Sequence, residues 1–211
     1  RGNKGFVIGG GDGDAQMGNI TVRKNFVATP LWLASATTDA AGKVSASVTA
    51  PDNLTRYRIM AVAAHGVDRF GSGEGAFTIN KPLMIDPAVP RFARIGDEVL
   101  VKGIVHNTTK HSGKVEVSLE LDGGASFIIE KRDFIPAAFK ADAGGDLKMQ
   151  KVVLDIKAGE TAATAFPVQF VNLGTSKWKW VTKSLDFPEA VNDATESTFD
   201  VKHPLPELRD V

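Results

Sequence analysis

The sequence predicts an all-β protein built from two units of the immunoglobulin-like, macroglobulin-type β-sandwich class. Three observations predict it: short stretches in which apolar and polar residues alternate, turn residues that recur at roughly 8–12-residue spacing, and no convincing amphipathic helix. In one such stretch Val115, Val117 and Leu119 alternate with polar residues. Because successive side chains of a strand point to opposite faces of the sheet, this alternation predicts a half-buried strand.

The composition allows a buried core and favours no charged partner. The chain has 211 residues, 43% of them hydrophobic, and 25 Lys and Arg residues balance 25 Asp and Glu residues. Nucleic acid and anionic membranes attract clustered positive charge, so we expect neither as a partner. No segment reaches the roughly 20 apolar residues that cross a bilayer, so we expect no direct membrane insertion by this chain. There is no cysteine, which excludes disulfides and thiolate catalysis.

Residues 1–19 are expected to be flexible. They include the run Gly9-Gly10-Gly11-Asp12-Gly13-Asp14 and few branched apolar side chains. Such a segment buries too little surface to offset the entropy of ordering it, so we expect order to begin near Ile20. The polar start of the chain and the proline-marked segment 203–206 near its end lead us to expect a piece of a longer polypeptide.

The first predicted unit, residues 20–81, begins its strands after a turn at Ala41-Gly42. The stretch Lys43–Val48 predicts a strand that places its apolar side chains on one face. Residues 56–64 start as an alternation and become apolar on both faces, which is typical of a strand buried on both sides. We expect Gly66 and the cluster Gly71-Ser72-Gly73 to end that strand, and residues 75–79 to form another. Four or five strands are few for a stable two-sheet module. We therefore expect that the unit packs on its neighbour or that the rest of it lies upstream.

The second predicted unit, residues 82–203, holds enough strands for a complete sandwich. Turn signals containing glycine separate them, as at Gly96, Gly113 and Gly159. The segment 136–150 predicts a long loop or a short helical turn, and residues 204–211 a linker to a following domain. The predicted strands are Leu83 to Ile85, Glu98 to His106, Lys114 to Glu120, Ser126 to Glu130, Lys151 to Ile156, Thr161 to Val171, Lys177 to Val181 and Thr198 to Val201.

The residue spacing supports no site for chemistry. No pair of the four histidines has the i, i+4 spacing of a helical metal site, and no carboxylate accompanies them at ligand spacing. We expect His65 and His106 to end strands, and His111 and His203 to face solvent. No Ser/His/Asp set can be nominated from spacing. The sequence therefore predicts no catalytic, cofactor-binding or metal-binding residue, no cofactor and no enzymatic activity.

Several shorter patterns match known sites only in part. Asp12-Gly13-Asp14 resembles the start of a calcium-binding loop. Such a loop needs a glutamate at its twelfth position, and that position is occupied here by Arg23. Gly9-Gly10-Gly11 has no preceding strand, no following helix and no Lys-Ser/Thr ending of a phosphate-binding loop. Three asparagines match the glycan acceptor pattern, which is common by chance: Asn19, Asn53 and Asn107.

The three tryptophans are expected in the core or at a surface edge. Trp178 and Trp180 lie two residues apart, and therefore on the same face of a strand, whereas Trp32 is remote from them. The pair can alternatively begin an exposed aromatic row of the kind that binds carbohydrate. No third aromatic residue joins it.

Residues 25–122 contain an ordered series of motifs that resembles the α2-macroglobulin family. The series runs from Phe26-Val27-Ala28-Thr29-Pro30-Leu31-Trp32 through Thr38-Asp39-Ala40-Ala41-Gly42 to Pro51-Asp52-Asn53-Leu54-Thr55. The stretch Lys81-Pro82-Leu83-Met84-Ile85 is similar to that family's entry into its next macroglobulin-like domain. Tyr57 stands where the family usually has Trp, and it can fill a similar half-buried aromatic slot. Asn53 and the absence of cysteine are similar to bacterial rather than animal members.

The resemblance implies a role in proteinase inhibition. In that family a proteinase cuts a flexible bait segment inserted within a macroglobulin-like domain, and the molecule rearranges and traps the proteinase. Residues 1–19 would then be the downstream flank of the bait, residues 20–81 the second half of the split domain, and residues 82–203 the next intact domain. The thioester of some members needs a cysteine, so that chemistry does not lie on this chain.

The implied partners are proteinases, met through the full-length protein, and the neighbouring domains of the same chain. The implied location is extracellular or periplasmic, with any membrane anchor in the rest of the protein. Without the resemblance, the same residues 51–55 predict a turn that sets strand register: Pro51 fixes its backbone, and Asp52 and Asn53 hydrogen-bond local amides.

Two other functions use the same fold. One is an immunoglobulin-like cell-surface adhesin or stalk, but stalks usually repeat one module and the two units here share no sequence repeat. The other is a non-catalytic accessory β-domain, which predicts an exposed aromatic row. The favoured hypothesis is a scaffold portion of a bacterial α2-macroglobulin-like endopeptidase inhibitor.

Overall fold

The computed structural model describes residues 20–130, 133–135 and 146–203, where the backbone forms strands, turns and extended segments. The expected flexible segment 1–19, the expected linker 204–211 and most of the segment 136–150 lie outside the described residues. In the part that is described, no helix has the length and apolar character needed to span a membrane. The strands of the described residues are, in chain order, β1 (Val22–Arg23), β2 (Arg56–His65), β3 (Arg69–Thr78), β4 (Leu83–Ala88), β5 (Phe92–Arg94), β6 (Glu98–Asn107), β7 (Gly113–Leu121), β8 (Ala125–Phe127), β9 (Met149–Ile156), β10 (Thr161–Phe170), β11 (Gly174–Ser184) and β12 (Asn192–Lys202).

Two sheets, formed by residues 83–203 together with β1, enclose a common core. One sheet has the order β1-β12-β11-β7-β9, and β5 joins the same edge of β12 as β1. The other has the order β4-β6-β10-β8, with antiparallel neighbours throughout. Antiparallel sheets bury one face and leave the other to water, which accounts for the alternation along each strand. The predicted all-β sandwich fold is confirmed.

Aromatic rings dominate the core between the two sheets. Trp178 and Trp180 of β11 are fully buried, as expected for core residues. The ring of Trp178 stacks on Phe170 at 5.6 Å and meets Phe199 edge-on at 4.7 Å. Trp180 packs over Gly103, where an added Cβ would lie 3.0 Å from the indole ring. A side chain on β6 at this position would displace the ring, so glycine makes room for the tryptophan.

The strands predicted for the second unit are all present, but several have different ends. β11 and β12 are much longer than predicted, and β8 ends at Phe127 and not at Glu130. Val115, Val117 and Leu119 face the core with 0% exposure, as their alternation predicts. The turns at Gly96 and Gly159 use left-handed backbone angles, with φ of 88° and 72°. β1 and β5 were not predicted, because strands of two and three residues are too short for a periodic pattern.

A separate hairpin consists of β2 and β3, paired from Arg56↔Thr78 to His65↔Arg69. Gly66 turns the chain with a φ of 65°. The prediction that this strand is buried on both faces is wrong: of the residues of β2, only Tyr57 is buried. No second sheet covers the hairpin within the described ranges.

The glycine cluster of the hairpin was also misinterpreted from the sequence. Gly71 and Gly73, expected to end a strand, lie inside β3 and pair with Ala63 and Ala61. Glycine has no Cβ and weakens a strand interior, but its backbone can still form the hydrogen bonds of the sheet. Pairing with β2 therefore keeps both glycines inside the strand.

Residues 24–50, named here the extended segment, form no strand and contain a turn at residues 40–42. The predicted strand Lys43–Val48 is therefore wrong, and Val44 and Val48 are exposed. A strand needs a neighbour for its backbone N–H and C=O groups, and none of the described strands lies alongside this stretch. The turn before it is as predicted: Gly42 has a φ of 75°, and Asp39 Oδ1 accepts hydrogen bonds from the amides of Ala41 and Lys43.

Candidate functional site

The first unit joins the sandwich at a buried cluster of charges around Asp193. Asp193 lies near the start of β12 and is 0% exposed. Arg23 reaches it because β1 pairs in parallel with β12, which places Arg23 opposite Thr195. Lys81 comes from the segment just before β4. Three segments distant in sequence thus bring one negative and two positive side chains together.

Every contact of this cluster is close enough to be a good hydrogen bond. Arg23 Nη2 donates to Asp193 Oδ2 at 2.7 Å, and Arg23 Nε to Oδ1 at 2.9 Å. Lys81 Nζ lies 2.9 Å from Oδ1, and the backbone amide of Ile85 donates to Oδ2 at 3.0 Å. Arg23 Nη2 also donates to the carbonyl of Ile85 at 2.8 Å. A buried carboxylate is tolerated only with such complete pairing, so the cluster fixes the relative position of its three segments.

An open pocket of ≈ 360 Å³ adjoins the same junction. Its lining contains Lys81 and no acidic or histidine side chain. A mostly apolar pocket with a few convergent polar groups is the usual sign of a small-molecule site, whereas half of this lining is polar. The lining residues are Thr21, Lys81, Pro82, Ala190, Val191 and Asn192.

The motif at residues 51–55 ties the extended segment to the hairpin. Asp52 Oδ2 accepts a hydrogen bond from the amide of Asn25 at 2.8 Å, and Asn53 Oδ1 accepts one from the amide of Val27 at 2.7 Å. The backbone amide of Asp52 in turn donates to the carbonyl of Asn25 at 2.8 Å. The expectation of local amide partners is wrong, because the amides lie in a segment more than 20 residues earlier. The motif is therefore a tether between two segments.

Tyr57 completes this tether. Its hydroxyl donates to the carbonyl of Val27 at 2.8 Å, and its ring stacks on Phe77 at 5.2 Å. The side chain is buried, more fully than the half-buried aromatic slot expected at this position. Tyrosine suits the slot because its ring packs while its hydroxyl finds an acceptor.

Large apolar side chains of the first unit face outward. On the hairpin Met60, Val62 and Phe70 are each more than two-thirds exposed, and Trp32 of the extended segment is 83% exposed. Single exposed apolar residues are common on protein surfaces, whereas a contiguous set marks a surface that another element covers.

His106 forms a hydrogen-bonded row that the spacing did not indicate. Its Nδ1 lies 3.0 Å from Thr161 Oγ1, and its Nε2 lies 3.1 Å from Asp86 Oδ2. Hydroxyl, imidazole and carboxylate follow each other in the order of a hydrolytic triad. The Asp86 side chain is 64% exposed, so water screens the charge that would polarise the imidazole. We interpret the row as a surface network of the β4-β6-β10 sheet.

The other sequence candidates do not come together. His65 ends β2, His111 and His203 are exposed, and none of them is near the Asp193 cluster in the contacts of the described residues. Across the described ranges no group of three or more His, Cys, Asp or Glu residues is placed to hold a metal ion. The glycan acceptor Asn107 is buried, and its amide donates to the carbonyls of His111 and Lys157.

The aromatic row that a carbohydrate-binding accessory domain would need is not formed by Trp178 and Trp180. Both side chains have 0% exposure and lie between the two sheets. The Nε1 of Trp178 donates to Ser176 Oγ at 3.0 Å. The exposed aromatic row that suggested an accessory domain is therefore not formed by these two residues.

Sequence comparisons find alpha-2-macroglobulins among the relatives of this chain. The model of the Alpha-2-macroglobulin family matches residues 29–119. An alpha-2-macroglobulin homolog of Nostoc sp. is 36% identical over 124 residues, which cover 59% of this chain and 6% of the relative. The alpha-2-macroglobulin of Thermotoga maritima is 29% identical over 102 residues, which cover 48% of this chain and 6% of the relative. The chain thus spans a small fraction of the length of these curated relatives.

Solved structures of Escherichia coli alpha-2-macroglobulin share the fold. The form activated by porcine elastase aligns over 97% of this chain and 17% of its own, with a TM-score of 0.64 and 20% identity. The trypsin-activated form aligns over 81% of this chain and 11% of its own, with a TM-score of 0.62 and 20% identity. The family match over residues 29–119 and the identity to the Nostoc homolog make this chain similar to the alpha-2-macroglobulin family, and the solved structures show the same fold.

Proposed function

We propose that this chain is a scaffold segment of an α2-macroglobulin-like endopeptidase inhibitor that traps proteinases after a bait segment is cut. The observation that carries the proposal is the family match over residues 29–119. Escherichia coli alpha-2-macroglobulin has been solved in forms activated by trypsin and by porcine elastase, so that protein is activated by proteinases. The role proposed here is that of a structural domain in such a response.

We also propose a division of the chain into domains. Residues 1–19 are the downstream flank of the bait, residues 20–81 the second half of a split macroglobulin-like domain, residues 82–203 an intact one, and residues 204–211 a linker. The outward-facing Met60, Val62 and Trp32 support this division. Half of a sandwich leaves its apolar face uncovered when the facing strands belong to another stretch of the polypeptide.

The chain itself has no proposed catalytic role. Its proposed partners are proteinases, met through the longer protein, and the domains that flank it there. The proposed location is outside the cytoplasm, extracellular or periplasmic, where such proteinases act. We propose no role for the row of Thr161, His106 and Asp86, because the Asp86 carboxylate is exposed to water.

The proposal is tested by comparing the chain alone with the longer protein that contains it. Each is mixed with trypsin, and hydrolysis of casein and of a small amide substrate is measured. A trapped proteinase keeps its active site, so the longer protein should suppress casein hydrolysis and spare the small substrate. The chain alone should suppress neither. Stoichiometric inhibition by the chain alone, or none by the longer protein, contradicts the proposal.

The proposed bait flank has its own test. Brief trypsin treatment of the longer protein should give early fragments that begin at Gly2 or Gly5, after Arg1 and Lys4. These fragments should disappear in the variant Arg1→Gln/Lys4→Gln and persist in the control Arg56→Gln/Arg69→Gln, which removes two exposed sites of the hairpin. Early fragments that begin inside residues 82–203 contradict the assignment.

A further inference from the structure

One buried carboxylate holds both ends of the exposed part of the first unit. The chain leaves the sandwich after Arg23 and returns to it at Lys81. Both side chains bind the same oxygen of Asp193: Arg23 Nε and Lys81 Nζ each lie 2.9 Å from Oδ1. The entry and the exit of residues 24–80 therefore meet at a single atom.

The charges that compensate Asp193 come from outside the sandwich strands β4–β12. In the contacts of the described residues, the only partner that these strands give the carboxylate is the backbone amide of Ile85, at 3.0 Å. Arg23 and Lys81 supply the positive charge, and they flank residues 24–80 at either end. A buried carboxylate that loses its cation is strongly unfavourable. Asp193 therefore favours the arrangement in which both arms are docked.

We propose that Arg23, Lys81 and Asp193 form a two-point clamp that fixes how residues 24–80 are held against the sandwich. The inference concerns this chain alone and does not rest on proteinase trapping. If one arm is released, the remaining arm leaves the unit attached at one end only. The direction of the unit relative to the sandwich is then no longer fixed.

The two arms of the clamp differ in strength. Arg23 makes a bidentate contact with the carboxylate and a further bond to the carbonyl of Ile85, and its side chain is 7% exposed. The Lys81 side chain makes one contact and is 29% exposed. The backbone of β1 adds little, because only Val22 and Arg23 pair with β12. The expected order of effect is therefore Asp193→Asn, then Arg23→Gln, then Lys81→Gln.

The clamp can be tested by the distance between two spin labels. The chain has no cysteine, so Val67→Cys at the hairpin turn and Thr198→Cys on β12 give two unique, exposed labelling sites. With the clamp intact we expect one narrow distance distribution between the labels. Asp193→Asn should at least double its width, and Lys81→Gln should widen it less. Glu196→Gln, an exposed carboxylate on the same strand, is the matched control and should leave the width unchanged.

Hydrogen exchange separates release of the clamp from unfolding of the sandwich. In Asp193→Asn the amides of Arg23 and Ile85 should exchange at least tenfold faster, while those of β7 and β11 stay protected. If Asp193→Asn unfolds the sandwich, the comparison of Lys81→Gln with Glu196→Gln decides the matter, since Lys81 is partly exposed. An unchanged distance distribution in Lys81→Gln and in every folded Asp193 variant, or a broad one in the unsubstituted chain, overturns the proposal.

Discussion

The sandwich and the first unit use the same residue pattern with opposite results. Val115, Val117 and Leu119 alternate with polar residues and are fully buried in β7. Val44, Ala46 and Val48 alternate in the same way and lie exposed in an extended segment. Alternation specifies which side chains share a face of the chain. It does not specify whether a second sheet covers that face.

The two regions are also held together by different interactions. The sandwich buries a continuous set of aromatic and branched side chains between its sheets. The first unit is held by particular polar contacts, such as those of Asp52 and Asn53 with the backbone of residues 25–27. Burial of apolar area is the main stabilising contribution in folding, so cooperative stability should reside in the sandwich.

The largest difference in stability between the two regions is expected when a tryptophan is substituted in each. Trp180→Ala removes a fully buried ring and should lower the free energy of unfolding by about 3–5 kcal/mol. Trp32→Ala removes a ring that is 83% exposed and should change it by less than about 0.5 kcal/mol. Urea unfolding followed by far-ultraviolet circular dichroism measures both. Equal losses in the two variants contradict a sandwich-centred core.

Two glycines sharpen the same comparison at smaller scale. An alanine Cβ at Gly103 would lie 3.0 Å from the Trp180 ring, so Gly103→Ala should lower the free energy of unfolding by about 1–3 kcal/mol. An alanine Cβ at Gly73 of the hairpin would meet nothing within 4 Å. Gly73→Ala should therefore be neutral, or stabilising by up to about 1 kcal/mol. Thermal unfolding of the two variants measures the difference, and a harmless Gly103→Ala would mean that the Trp180 ring has room to move.

The sequence predicts most of the sandwich because its signals there are local. The alternation along β7, the glycine turns and the core position of Trp178 and Trp180 each depend on neighbouring residues. Each agrees with the fold that the whole chain adopts, which is the condition for such predictions to succeed. The predicted Lys43–Val48 strand fails because its outcome depends on a partner strand that no local pattern reveals.

The charge cluster was beyond the reach of sequence patterns for the same reason. Asp193 stands in the polar stretch Asn192-Asp193-Ala194-Thr195, which gives no sign of burial. Its partner Arg23 is 170 residues away and belongs to a two-residue strand. The parallel pairing of β1 with β12 brings them together, and tertiary pairing of this kind leaves no periodic signal.

Removing one hydrogen bond of the tether should loosen the first unit without affecting the sandwich. Asn53→Ala deprives the amide of Val27 of its acceptor, a loss of about 1 kcal/mol. The exchange of that amide should become about fivefold faster, since 1.4 kcal/mol corresponds to about tenfold. Asn80→Ala, an exposed asparagine of the same unit, is the control. Native-state hydrogen exchange measures both, and equal rates at Val27 in the two variants would remove Asn53 from the tether.

The smallest effect is expected at the ion pair between Arg58 and Glu74. This pair joins the two strands of the hairpin, and both side chains are more than half exposed. Water and salt screen such a pair, so Arg58→Gln should change the free energy of unfolding by less than about 0.5 kcal/mol. The change should shrink further in high salt. Urea titrations at low and high salt measure this, with Glu116→Gln, whose carboxylate pairs with Lys151 and Lys183 on the sandwich, as the comparison. A large, salt-resistant loss in Arg58→Gln would mean that the hairpin is covered in solution by an element outside the described residues.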